Sequence, residues 1–469
     1  MPIWKKIVYG AGDSGFSLTS TALALLYLDF LVNVVGLDPR LAGLSIALGR
    51  IWDALNDLFI GNLSDRTRSR WGRRRPYLLF GAIPFGVAFI FMWFVPAVGQ
   101  EALLLAFYTG IYMLFDTLFT LTNVPYVALT PELAPTYDGR TSLQAYRMAF
   151  SIGFGLVGAV VPLALVDRLA GPDPSQAALR SAYLGMAMIL AVVSVIPILL
   201  TFATVRERPE FQELPQPSLR DAFHLLATNK AFLIAAGVYL LTWMPIDLIQ
   251  FVLVFLIRDY FGLGGSERDL IFLLLFGVAV LALPLWVRAA ARWDKVRAYQ
   301  VGIAFLAGVL VLLSFTPPGR STAVFILAAL AGVGLSAAHV IPLAILPDCM
   351  DWDELRRNER NEGAYYSVVT LIQKMVGALT IALTGTLLTM SGYVAATEGP
   401  ASQPDSALNV LRWLTGPLPA AIFVLGIVLV SFYPLTRQRH ARILAALDRK
   451  RAVRRRASGD TKEVLGAEP

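Results

Sequence analysis

Asp53 and Asp57 stand four residues apart in "RIWDALNDLFIGNLSD", a stretch otherwise apolar enough for lipid. In a helix that spacing stacks two carboxylates on one face, roughly 5–6 Å apart. Such a pair repels itself unless something neutralises it, and a proton, Na⁺ or Li⁺ would do so. Hard cations take oxygen ligands, and Asn56 and a hydroxyl from a facing helix, Thr120, supply them. A second set lies in "IYMLFDTLFTLTNVPYVALTP", where Asp116, Thr120 and Asn123 share a face. Pro125 beside them removes a backbone donor and favours a kink. Asp116 either couples to the cation site or bonds a neighbouring helix. Arg147 in "LQAYRMAF" and Lys374 in "VVTLIQKMVG" either meet a substrate anion or hydroxyl, or compensate the aspartates. Lys374 as counter-ion to Asp53 and Asp57 would let binding swap its partners. Asp247 and Gln250 follow Pro245 on roughly one face. His339 is one of three histidines, and a lone histidine on an apolar face is more often a packing residue than a ligand.

These groups need elements that hold them in lipid. The chain of 469 residues is 56% hydrophobic and 16% charged, with mean hydropathy +0.62. A soluble protein would carry about a quarter charged residues. Long apolar runs recur, and a helix needs about 20 apolar residues to cross the hydrocarbon core. Only helices or closed barrels satisfy the backbone there, and these runs are too continuous for barrel strands. The pattern predicts an all-α integral membrane protein with twelve spans: 5–35, 39–63, 75–96, 102–131, 140–167, 180–204, 229–258, 268–290, 297–315, 322–346, 362–391 and 409–435. The opening "MPIWKKIVYGAGDSG" superficially suggests a signal peptide. The run after it contains Asp13 and has no clear cleavage site, so it reads as a retained first helix.

An even number of spans puts both termini on one side. The six arginines of "DRTRSRWGRRRP" and the basic tail choose that side as cytoplasmic. Outside lie only Arg40, Arg168, Arg180, Arg258, Arg268, Arg320 and Arg412, while Arg50, Arg147 and Lys374 fall within spans. The net charge of +7 therefore reports membrane topology rather than nucleic-acid binding. The polar segment 205–228 divides the chain into a six-helix lobe 1–204 and a second, 229–436, followed by a solvated or headgroup-facing tail 437–469. A weak echo, "GNLSDRTRSRWGRRRP" after helix two and "VRAAARWDKVRAYQ" after helix eight, supports two related halves. The single cysteine, Cys349, excludes an intrachain disulfide. No H-E-x-x-H or G-x-S-x-G motif points to an enzyme.

An ionisable group at the bilayer centre costs at least about 2.5–3.5 kcal/mol, which marks these residues as functional candidates. "DALNDLFIGNLSDRTRSRWGRRRP", "NVPYVALTPEL", "YDGRTSLQAYRMAFSIG" and "LPDCMDWDELRRNERNEGAYYSVVTLIQK" resemble the glycoside–pentoside–hexuronide:cation symporters of the major facilitator superfamily, which include melibiose permease. The resemblance covers nearly the whole chain. It implies a cation site at Asp53, Asn56, Asp57 and Thr120, with Arg147 and Lys374 lining a central cavity. The sugar positions depart from the melibiose pattern. Phe16 and Ser17 replace a lysine–aspartate pair, Asn123 an aspartate, Phe119 and Val127 aromatic positions, His339 a tryptophan and Val369 a glutamine. The helix-two aspartates, "VPY.AL" and "AYRM" also resemble sodium-dependent lysophosphatidylcholine transporters.

The expectation is thus a secondary active symporter of a sugar or glycoside, coupled to Na⁺, Li⁺ or H⁺ and working by alternating access in the cell (inner) membrane. A lysophospholipid symporter and a proton-coupled exporter are the alternatives. The expected partners are a small-molecule substrate and membrane lipids, with no nucleic acid and no further cofactor, and the chain is expected to act as a monomer. Candidate substrate residues are Phe16, Ser17, Asp116, Phe119, Asn123, Arg147, Asp247, Gln250, His339 and Lys374. At the cytoplasmic face, Asp65, Arg66, Arg73 and Arg74 are expected to pair across the lobes with Asp348, Asp351 and Glu354 when the opposite face is open.

Overall fold

The computed structural model describes residues 2–133, 137–172, 174–205, 229–357, 362–395 and 402–457. Among them are thirteen helices and no strand. They are α1 (Ile3–Val35), α2 (Pro39–Arg66), α3 (Arg75–Met92), α4 (Glu101–Leu133), α5 (Tyr137–Ala170), α6 (Gln176–Thr204), α7 (Lys230–Tyr260), α8 (Ser266–Trp293), α9 (Lys295–Phe315), α10 (Ser321–Arg357), α11 (Glu362–Met390), α12 (Asp405–Val430) and α13 (Arg437–Ala457). Eleven of them are long and apolar enough to cross a membrane. The exception among the first twelve is α2, whose middle carries Arg50, Asp53 and Asp57. It packs between α4 and α11, so neighbouring helices rather than lipid cover its polar face.

Helices α1–α6 form one group, with α1 along α5 and α6, α3 on α4 and α6, and α2 on α4. In the second group α8 and α9 pack on α10, and α12 on α7 and α9. The groups meet along α2–α11, α1–α7 and α5–α8. The closest approach is glycine-made. A Cβ on Gly385 would lie 2.2 Å from the Pro39 carbonyl oxygen, and one on Gly43 would lie 2.7 Å from that of Ile381. Only hydrogen fits there, so α11 is drawn against α2.

Local departures from the expected spans have physical causes. The last turns of α1 (Phe30–Val35) and α7 (Leu256–Tyr260) widen into π-helix. Gly36, at φ 87°, then turns the chain into α2, where Asp38 caps by accepting from the Arg40 amide at 2.8 Å. Helix α10 runs well past the expected 346, through Pro342 and Pro347; the Lys295 ammonium donates to the Ala344 carbonyl at 2.8 Å beside the second proline. The last span, α12, breaks at Gly416 into two segments, Asp405–Thr415 and Pro417–Val430. The tail is not simply solvated. Its residues 437–457 form α13, which buries Ile443 and Leu447 against α10.

Candidate functional site

The Lys374 ammonium of α11 donates to Asp53 Oδ1 at 2.6 Å and to Asp57 Oδ2 at 2.5 Å, both on α2. One cation therefore bridges the two carboxylates, from the opposite helix group. The second Asp57 oxygen accepts from the Thr120 hydroxyl of α4 at 3.2 Å. Asn56 is buried, and among the described residues its amide nitrogen has no hydrogen-bond partner. Asp116 of α4 is 6% exposed and lies within hydrogen-bonding reach of Asp53, while its Oδ2 has no partner. A buried polar group left unpaired costs about 1–3 kcal/mol, so this cluster is incompletely satisfied as it stands. Its oxygens are those a hard monovalent cation takes. Among the described residues no three His, Cys, Asp or Glu side chains converge as a transition-metal site would require.

One turn before Asp53, Arg50 reaches Asp247 of α7 at 3.6 Å and lies over the Phe251 ring, 4.9 Å from its centroid. Gly377 leaves room for the contact, because a Cβ there would meet Arg50 Nη1 at 2.5 Å. Arg50, Asp53, Tyr112, Asp116 and Lys374 line one polar cavity of about 170 Å³. A second cavity, of about 380 Å³, lies between the helix groups, with Ser20 and Thr21 on one wall and Gln250, Ser336 and His339 on the other.

The remaining expected residues divide by neighbourhood. Arg147 Nε is 3.4 Å from Asp13 Oδ1 of α1. Asp13 lines a recess with Ser17, Asn123 and Ser151, and the Ser17 and Ser151 hydroxyls are 2.6 Å apart. Phe16 and Phe119 also line this recess and meet edge-on, their ring centroids 5.3 Å apart. The Phe16 ring also packs on Phe85 and Tyr126. His339 packs edge-on against Trp243, and its Nδ1 lies 2.9 Å from the Leu335 carbonyl oxygen. Gln250 faces both the inter-group cavity and an apolar one inside the second group.

At the arginine-rich end, Arg74 donates to the Ala128 carbonyl and Arg75 to that of Phe202, both within the first group. Asp348 accepts from Lys295 at 2.7 Å, and His440 of α13 sits 3.0 Å from Asp351. Arg73 and Glu354 each have interaction partners. The Asp65 and Arg66 side chains lie outside the described residues. At the other end the groups are tied together. Arg258 of α7 holds Asp29 of α1 at 2.8 Å and Asp259 at 2.7 Å. Tyr393, following α11, donates to Asp259 at 2.6 Å and accepts from Arg258 at 3.0 Å. Burial pushes the Tyr393 phenol up, which keeps it a donor. Asn33 donates to Asp29 at 2.8 Å, Arg268 pairs with Asp167 at 2.7 Å, and Thr389 donates to Asp38 at 2.9 Å.

Sequence reasoning missed this tie and the role of Asp13. The signal was available for Asp13: an aspartate inside an apolar run needs a partner. Arg258 falls at a span end, where charges draw no attention, while Asp29 lies inside the expected first span and carried the same signal as Asp13.

The family described as MFS/sugar transport protein matches residues 8–437. The symporter sll1374 of Synechocystis, itself uncharacterised, is 33% identical over 93% of this chain and 95% of its own. Sodium-dependent lysophosphatidylcholine symporter 1-A of Danio rerio is 24% identical, covering 94% of this chain and 87% of that protein. In fold, the chain is similar to the xylose transporter XylE of E. coli in an inward-open conformation, with TM-score 0.63 at 14% identity over 94% of this chain and 98% of that one. A match along nearly the whole chain, over an all-helical fold of twelve packed helices and a tail, places this protein in the MFS/sugar transport protein family.

Proposed function

We propose that the chain is a Na⁺-coupled symporter of a sugar or glycoside, working by alternating access between two lobes, 1–204 and 229–436. The observation that carries this is the Lys374 bridge: one ammonium occupies the space between Asp53 and Asp57 that a coupling cation would take. Na⁺ and the ammonium then compete for the same oxygens. When Na⁺ binds with Asp53, Asp57, Thr120 and Asn56 around it, Lys374 is released toward the central cavity, where it can meet substrate. When Na⁺ leaves, Lys374 returns and neutralises the pair. Sodium is favoured because relatives along nearly the whole chain are named sodium-dependent symporters. A sugar is favoured by the family description and by the hydroxyl and amide groups of Ser17, Asn123 and Ser151 in the recess.

The arginine-rich end is assigned to the cytoplasm of the inner membrane by the positive-inside rule, which puts both termini there. With that assignment, we read the ties at the opposite end as the closed outer gate of an inward-facing state. In the outward-facing state, Asp348, Asp351 and Glu354 would exchange their present partners for Arg73 and Arg74, with Asp65 and Arg66 beside them. The chain needs no second copy for any of this.

A second reading, lysophospholipid symport, rests on the largely apolar cavity lined by Leu253, Phe276, Leu310 and Leu335 beside Gln250. Proteoliposomes with an imposed Na⁺ gradient separate the readings. Sugar uptake that collapses without Na⁺ supports the first, and uptake confined to lysophospholipids replaces it with the second. Transport of neither, with proton-driven efflux instead, would make the protein an exporter.

A further inference from the structure

We propose that Asp13 sets the charge of the substrate, by standing in the wall of the recess and neutralising Arg147 beside it, so that an uncharged polyhydroxyl ligand is accepted and an anionic one refused. This rests on the sugar reading above and deepens it. The first support is local. Arg147 and Asp13 are 13% and 7% exposed and 3.4 Å apart, and Asp13, with a hydrogen-bonding contact to Ser151, is the charged group that lines the recess. Arg147 Nε is buried against Asp13, outside the residues that line the recess, so a ligand meets the carboxylate before the guanidinium. A carboxylate acceptor, two serine hydroxyls and the Asn123 amide together match sugar hydroxyls, each of which both donates and accepts.

The second support is the charge balance of the whole centre. Arg147 has Asp13, Arg50 has Asp247, and Lys374 has both Asp53 and Asp57 until Na⁺ takes its place between them. Asp116 adds a further acid. The described centre therefore carries more carboxylates than cations. Recognition of a carboxylate or phosphate calls for an arginine or lysine free to pair with it, and among the described residues neither lines the recess. A uronate or phosphate would instead approach Asp13 and share an already paired guanidinium. A cation with a neutral glycoside suits this balance, and a cation with an anionic one does not.

The test is binding by the purified full-length protein in detergent with Na⁺. Matched ligand pairs differ only at C6, methyl glucoside against methyl glucuronide and methyl galactoside against methyl galacturonide, with methyl xyloside and a lysophosphatidylcholine alongside. The wild type should bind the neutral member of a pair at least tenfold tighter. Asp13→Asn, which frees Arg147, should shift the neutral-to-uronate ratio at least tenfold toward the uronate. If that variant does not fold, the doubly neutral Asp13→Asn/Arg147→Gln variant should lose the discrimination between pair members. Equal wild-type affinity within a pair, or an unchanged ratio in the variant that folds, would overturn the inference and leave sugar symport standing. Binding of lysophosphatidylcholine alone would instead overturn the sugar reading beneath it.

Discussion

Two ionic clusters join the helix groups, one mid-membrane and one at the end away from the arginines, and they differ in completeness. Around Arg258 the groups are matched: its guanidinium meets Asp29 and Asp259, Tyr393 donates to Asp259, and Asn33 donates to Asp29. Around Lys374 a single ammonium serves two carboxylates while Asp116 Oδ2 and Asn56 Nδ2 go unpaired. Buried polar networks are stable when every member is satisfied and costly when not. The saturated cluster suits a closure and the unsaturated one suits a ligand site. The same chemistry thus serves two purposes, told apart by what is left over.

Four substitutions press on that contrast. The largest effect is expected from Asp57→Asn, which removes one of the two bridged carboxylates. Na⁺-stimulated uptake should disappear while the purified protein stays folded by circular dichroism; retained Na⁺ stimulation would move the cation site elsewhere. Next is Lys374→Gln. Breaking a buried pair by removing one partner typically costs about 3–5 kcal/mol, so the variant should unfold at lower temperature without Na⁺ and recover much of the loss with it. A loss that Na⁺ does not repair would make Lys374 purely structural. Third, Arg258→Gln should weaken the closure by about 1–3 kcal/mol, a discounted figure because the arginine is partly exposed. A cysteine at Thr21 in a Cys349→Ser background should then label faster from the outside, and an unchanged rate would deny the cluster its gating part. Smallest is Thr389→Ala, which removes the bonds to Asp38 and the Arg40 amide and should shift the same labelling rate by only about 0.5–1.5 kcal/mol equivalent.

Much of this molecule was legible beforehand. Hydropathy located the spans, and the i, i+4 spacing of Asp53 and Asp57 with the Thr120 hydroxyl reappears in their geometry. Lys374 was readable as their counter-ion because few other cations lie inside the spans. What stayed hidden depends on how separate helices are turned and set against one another. Pairing Arg50 with Asp247 and Arg147 with Asp13 requires the rotation of α2 against α7 and of α5 against α1, which no single-helix pattern carries. The extension of α10 was hidden for a different reason: Pro347 reads as a stop, and the Lys295 ammonium that donates to the Ala344 carbonyl beside it comes in from α9. Helix α13 was hidden because its arginines mask the two apolar residues that dock it.

The most direct measurement is Na⁺ affinity, by Na⁺-dependent thermal stabilisation, in the wild type and in Lys374→Gln. If ammonium and sodium compete for the oxygens of Asp53 and Asp57, the wild-type affinity is reduced by the fraction of molecules in which Lys374 holds the site. Removing that competitor should tighten Na⁺ binding. Na⁺ binding that is weakened or lost in Lys374→Gln would mean that the lysine helps build the cation site instead of competing for it, and would contradict the account.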